Sequence, residues 1–519
     1  MNQHTCCGMV SMVVVAWSLT LPLFRPKVSS SLVPSLPFSP ERVRVRRRAG
    51  TKLFASQALS CLLLLSLTAA AQPAISTYTL DQKISKIFLV SWPQPGLPEA
   101  WKTVLEAGAA GGVALSPGEN YQIPQEWSAL GTTLRIVEPP LLLAAPCEGG
   151  FRQPTHPAMG VVPVPEPAAL GALGDTNLIR DAYTYMTHKN DYLAHLALAP
   201  TFALTPEQGS LDTEARSFSA DPAIAAACIA AAIEGIQIAG VSAGVIAPLG
   251  VPLPEVIAAA MGPASLQVSP DLALEPNPAQ AAVAALQQGC HLLHLKAESP
   301  ALLAECKQAI IEALATGAVS TAQLDEAVLR IRSFPRPRAA ISHGKAPEGN
   351  GVVVVRDAAR LLPLDAAKGR VLVVAPGVEV GEPPLFIGHT LGNAIRALAA
   401  PTDEVRIELE PSPAQSEAAL RKAAGADVIV FGALLPNVFT TQAELVRKLV
   451  ETGKPLILVG LGDPGSILPL ADLPTLVVAH GFSPPALDAA AAVLYGKQPP
   501  GGRLTAPIGR LFPAGHAGP

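Results

Sequence analysis

The sequence predicts two consecutive α/β domains, a (β/α) barrel followed by a three-layer α/β/α sandwich, behind an N-terminal extension. Three observations predict it. From Ile75 onward, short apolar runs alternate with Ala-rich helical stretches. The polar segment around Pro335, Arg336, Pro337 and Ser342–Asn350 interrupts that alternation. A second series of almost wholly apolar runs then follows. Strand–helix alternation implies parallel strands with crossover helices, and continuous apolar runs imply strands covered on both faces.

The extension comes first. Met9–Phe24 is apolar but broken by Pro22. A basic cluster (Arg42, Arg44, Arg46, Arg47, Arg48, Lys52) precedes the Leu-rich run Leu59–Ala71, which ends Ala69-Ala70-Ala71-Gln72. A charged region, a short apolar region and a small-residue site make a secretory signal, too short for a membrane span. Residues 1–72 are therefore expected to be an extension and signal cleaved near Ala71, giving an exported protein, periplasmic or extracellular. A signal so far from Met1 suggests an assigned start too far upstream; the alternative is a membrane-anchored N-terminus. Cys61 precedes the apolar centre, so no lipoprotein anchor is indicated.

Barrel strands are expected at Ile87–Trp92, Gly112–Leu115, Leu134–Val137, Leu141–Ala145, Leu196–Ala199, Gly244–Ala247, Leu266–Ser269 and His291–His294, with helices such as Pro222–Ala239 and Ala279–Gln288. These fill a first domain, 75–334. After a linker, 335–350, the second domain (351–519) carries runs at Val352–Val355, Val371–Ala375, Val405–Leu409, Val428–Phe431, Leu456–Val459 and Leu476–Ala479.

Composition excludes some functions. Hydrophobic residues make up 49% and charged residues 15%, which is far from a disordered chain. Net charge is −4, and no basic face lies outside the N-terminus, so nucleic acid is not an expected partner. Cys147, Cys228, Cys290 and Cys306 show no metal spacing and read as buried thiols, with a disulfide left open. Gly460–Gly465 follows a strand but lacks the phosphate-loop Lys. No metal or cofactor is expected.

Several segments, in one order along the chain, resemble glycoside hydrolase family 3. They are Glu148-Gly149-Gly150, Leu198-Ala199-Pro200, Glu214–Pro222 (Glu-Ala-Arg-Ser-Phe-Ser-Ala-Asp-Pro) and Val268–Leu274 in the barrel half. Leu324–Ile331, Leu361-Leu362-Pro363-Leu364 and Pro500-Gly501-Gly502-Arg503-Leu504 continue the series. The resemblance implies an (β/α)8-type barrel plus sandwich. It also implies hydrolysis of β-linked sugars, β-N-acetylhexosaminides or β-glucosides, with carbohydrate as partner and no cofactor.

The same resemblance marks losses. A retaining glycosidase needs a carboxylate nucleophile and an acid/base about 5–5.5 Å apart, at the C-terminal ends of barrel strands. The family's nucleophile position falls on Pro270; only a one-residue slip would make Asp271 the nucleophile, and otherwise Asp271 is a loop residue or helix cap. The Asp of the family's Asp-x-Glu-Gly-Gly falls on Pro146, and its following Arg on Phe151. The Lys-His-Phe-Pro-Gly-His-Gly segment is missing where Val241-Ser242-Ala243 runs into Gly244–Leu249. At least one βα unit is expected to be eroded. Arg216 and Glu148 are retained as candidate substrate-binding residues; Arg216 can equally brace the barrel rim. His291 and His294 read as packing residues at the rim, His156 as a loop residue, and His188 and His195 lack metal spacing. Two functions compete: a family 3-like hydrolase, and a non-catalytic exported relative that binds a glycan or protein.

Overall fold

The computed structural model describes residues 75–121, 123–153, 163–188, 194–203, 215–333, 349–366, 369–377, 389–399 and 401–519. The signal, His156, Glu214 and most of the linker lie outside them. All described residues belong to one compact unit, Pro73–Pro519.

The first sheet has seven parallel strands: β1 (Phe88–Ser91), β2 (Gly112–Ala114), β3 (Leu142–Pro146), β4 (Leu196–Leu198), β5 (Ser242–Ile246), β6 (Ser265–Val268) and β7 (Leu293–Lys296). Their order is β6-β5-β4-β3-β2-β1-β7. A parallel bridge between Val268 and Leu292 joins the two outer strands, so the sheet curls round into a seven-stranded ring. One helix of only seven residues, Glu255–Met261, separates β5 from β6. Among the described residues, closure is made by seven strands.

Alternation along each strand sets one set of side chains inward and one outward. Leu89, Ala114, Ala144, Leu196, Leu198, Leu266, Val268 and Leu292 pack together in the lumen. Outward residues such as Phe88, Val90, Leu143, Leu293 and Leu295 pack against the surrounding helices. Helix Pro222–Ile238 starts where Asp221 accepts hydrogen bonds from the Ala223 and Ile224 amides, with Pro222 at the first helical position. It packs closely on helix Thr176–His188, because Gly235 has no side chain. A Cβ there would lie 2.3 Å from the Arg180 carbonyl oxygen.

One expected strand is wrong. Leu134–Val137 is not extended: Leu134 ends helix Pro124–Arg135. Trp127, Leu130 and Leu134 are buried at helical spacing, and that period governs.

The second sheet contains β8 (Val353–Asp357), β9 (Val371–Pro376), β10 (Thr402–Ile407), β11 (Val428–Ala433), β12 (Leu456–Gly460) and β13 (Thr475–Val478), in the order β10-β9-β11-β12-β13-β8. Only β8 runs antiparallel, against β13. Separate apolar clusters cover its two faces, one with Leu372, Ile429 and Leu458, the other with Val373, Val430 and Ile457. The unbroken apolar runs are explained by this double cover. The described cysteines, Cys147, Cys228, Cys290 and Cys306, are buried.

Candidate functional site

In a parallel barrel the loops after the strands converge at the C-terminal face, so chemistry is sought there. The inward position at each strand end is two residues beyond the lumen layer. Alternation places Pro146, Pro200, Ile246 and Pro270 at the mouth on the consecutive strands β3, β4, β5 and β6. It places Ser91 on β1 and His294 on β7. Among the described residues, these strand-end positions are apolar from β3 to β6 and polar on β7 and β1.

Glu148 follows β3 in a tight loop made possible by Gly149 (φ +89°) and Gly150 (φ +58°), a left-handed pair that disfavours side chains. The structure brings Glu148 and Arg216 together. Arg216 Nε lies 2.8 Å from Glu148 Oε2. The Thr201 hydroxyl donates to Glu148 Oε1 and accepts from Arg216 Nη2 at 2.5 Å. This cluster ties the ends of β3 and β4 to the segment before helix Pro222–Ile238.

Asp271 starts the 3-10 turn Leu272–Leu274, and its Oδ1 accepts from the Ala273 amide at 3.1 Å. The same oxygen accepts from the Lys296 amide of β7 at 2.9 Å. Asp271 is thus a cap and a cross-strand acceptor. Ser269 plays a parallel part, its hydroxyl accepting from the His294 amide at 2.9 Å.

His291 precedes β7 at the opposite end from the mouth. Its Nδ1 accepts from the Gln267 amide at 2.8 Å, and burial together with the Arg330 charge lowers its pKa to about 4. His294 faces the mouth, with Nε2 at 3.0 Å from Ser91 Oγ. His195 Nδ1 accepts from the Leu143 amide at 3.1 Å.

Sequence reasoning missed one pair. Lys296, at the end of β7, meets Glu119, from the loop after β2, at 2.7 Å. The pattern Leu293-His294-Leu295-Lys296 carries the signal: two polar residues alternate with leucines on one strand. Phe151, where the sequence resemblance implies an Arg, packs on Phe482 of the sandwich half with centroids 5.5 Å apart.

Residues 79–247 match the sequence profile of the glycosyl hydrolase family 3 N terminal domain. A search of curated proteins gave no match. Among solved structures, a family 3 β-N-acetylglucosaminidase from Paenibacillus sp. str. FPU-7 is similar with a TM-score of 0.67 and 19% identity, over 83% of this chain and 99% of that one. A fungal multi-domain family 3 β-N-acetylglucosaminidase gives 0.65 and 17%, over 82% of this chain; this chain covers 60% of its length. A β-glucosidase from Listeria innocua in complex with isofagomine gives 0.56 and 18%, over 83% and 75%. The family 3 resemblance read from the sequence is borne out, as is the barrel-plus-sandwich fold.

Proposed function

We propose that this chain, a relative of the family 3 glycosidases, is an exported saccharide-binding protein that does not hydrolyse glycosidic bonds. One observation carries the reading. Two residues beyond Val268, the last residue of β6, stands Pro270, which has no carboxylate, and the neighbouring Asp271 uses its Oδ1 to accept from two backbone amides. Glycosyl transfer to the protein needs a carboxylate aimed at the anomeric carbon, with a second carboxyl about 5–5.5 Å away. Glu148 supplies no second carboxyl, because it is buried against Arg216 and Thr201.

The sugar-binding part of the proposal follows the scaffold shared with enzymes that act on β-linked sugars. Export follows from the basic cluster and the apolar run ending at Ala71. A hydrolase using Asp271 as a slipped nucleophile is the competing reading, favoured by its place beside a strand end.

The test is an assay of the purified protein on chromogenic β-N-acetylglucosaminide and β-glucoside, with N-terminal sequencing of the secreted form. We expect no turnover above background and a mature start at Gln72. Turnover abolished by Asp271→Asn would establish the hydrolase.

A further inference from the structure

The polar side chains of the mouth fall into two sectors, and their exposures differ. In the β3–β4 sector the side chains of Arg216 and Glu148 are only 12% and 2% exposed, closed upon each other, with Arg152, 31% exposed, 3.9 Å from Glu148. In the β7–β1–β2 sector those of Lys296 and Glu119 are 36% and 24% exposed. Among the described residues, the second pair presents both of its charged groups to solvent.

That sector has internal order. Leu292 lies in the lumen, so alternation points His294 and Lys296 the same way, and Leu89 does the same for Ser91. Ser91 Oγ and His294 Nε2 are 3.0 Å apart. Lys296 is the register partner of Ser91 across β7 and β1. Its ammonium reaches Glu119 on the loop after β2, so the ion pair crosses the end of β1 beside the Ser91–His294 contact. Asn120 fixes that loop, its Nδ2 donating to the Trp92 carbonyl at 2.7 Å and its Oδ1 accepting from the Ser116 amide at 2.8 Å.

We infer that Lys296, Glu119, Ser91 and His294 form a binding subsite for a neutral saccharide, in a sector of the mouth away from the Glu148–Arg216 cluster. The inference rests on the saccharide-binding reading above and says where that binding occurs. A sugar hydroxyl both donates and accepts. Adjacent Lys and Glu side chains offer it one charge-assisted bond of each kind at once. An anionic ligand would have to displace Glu119, and a cationic one Lys296; a neutral polyol displaces neither charge. Across the mouth, Pro146, Ile246 and Pro270 are part-exposed and offer apolar surface to the C–H face of a pyranose ring.

The test is calorimetric titration of the full chain with chitobiose and cellobiose, and with glucuronate as an anionic probe. A lost hydrogen bond to a charged group corresponds to roughly a tenfold or greater loss of affinity. Lys296→Met and Glu119→Gln are each expected to weaken disaccharide binding by about that factor, with the thermal melt retained. Lys296→Arg should keep affinity within about threefold. Glu417→Gln, on an exposed helix of the sandwich half, should leave binding unchanged. Disaccharide binding that survives both Lys296→Met and Glu119→Gln, or tighter binding of glucuronate, would overturn the subsite while leaving the saccharide-binding reading intact. No binding of either disaccharide by the unaltered chain would overturn that reading and the subsite with it.

Discussion

At the scale of single residues, Arg216 carries two possible meanings in the sequence, sugar ligand and rim brace, and its surroundings discriminate between them. Its guanidinium meets Glu148 at 2.8 Å and the Thr201 hydroxyl at 2.5 Å, all three residues being buried or nearly so. Removing Arg216 leaves the buried Glu148 carboxylate with only the more distant Arg152, 3.9 Å away, in a low-dielectric site. Arg216→Met is expected to lower stability by about 3–5 kcal/mol, measured by urea unfolding followed by circular dichroism. A loss near zero would mean that Glu148 finds solvent, and that the pair is open to ligand after all. The residue types at Glu148 and Arg216 were legible because both sit in recognisable segments. Their mutual closure was not, since it depends on how the loops after β3 and β4 meet. Lys296 and Glu119 were harder still, being 177 residues apart with no motif joining them.

At the scale of elements, the strands were largely legible and the seam was not. Strands β2, β3, β4, β9, β11 and β12 are short, wholly apolar runs, and such runs are readable without knowing their neighbours. Leu134–Val137 misled because a helix end with Leu130 and Leu134 on its buried side also looks apolar locally. The join between β6 and β7 depends on which strands meet when the sheet closes, which no local pattern encodes. Side chains assist the backbone there: His291 Nδ1 accepts from Gln267, Ser269 Oγ from His294, and Asp271 Oδ1 from Lys296. These acceptors satisfy amides that an irregular ladder leaves without carbonyl partners. Asp271→Ala removes both a cap and a cross-strand acceptor, and is expected to cost about 2 kcal/mol. Asp271→Asn keeps a side-chain carbonyl and is expected to cost under about 0.5 kcal/mol. Equal losses in the two variants, measured by thermal and urea melts, would show that charge rather than the acceptor holds the seam.

At the scale of the whole molecule, the two halves meet around buried ionisable groups, and stability should depend on pH through them. Glu166, just before helix Pro167–Leu173 of the barrel half, accepts from the Phe482 amide at 3.1 Å, the Ser483 amide at 2.7 Å and the Ser483 hydroxyl at 2.7 Å. Burial raises its pKa, and these hydrogen bonds oppose the rise. His480 is fully buried; its Nδ1 donates to the Gly351 carbonyl at 2.8 Å and its Nε2 accepts from the Thr505 amide at 3.4 Å. Burial holds its pKa at about 4, as for His291. Between pH 6.5 and 4 the unfolded chain binds protons that these two imidazoles refuse. Stability is therefore intact above pH 6.5 and declines toward pH 4, by up to about 3 kcal/mol per imidazole. Glu166 acts in the opposite sense. Above pH 4.5 the folded chain holds a proton that the unfolded chain has released, so its contribution declines as pH rises toward its elevated pKa. His480→Asn retains a donor for Gly351 and suits the left-handed backbone at this position (φ +56°). Unfolding free energies measured from pH 4 to 7.5 should show roughly half the imidazole-driven decline in His480→Asn. Glu166→Gln should remove the opposing slope, making the loss toward acid steeper at its alkaline end and the pH 7 stability higher relative to pH 5. An unchanged acid limb in His480→Asn would mean that the halves separate before His480 titrates, and that the join is weaker than its buried contacts imply.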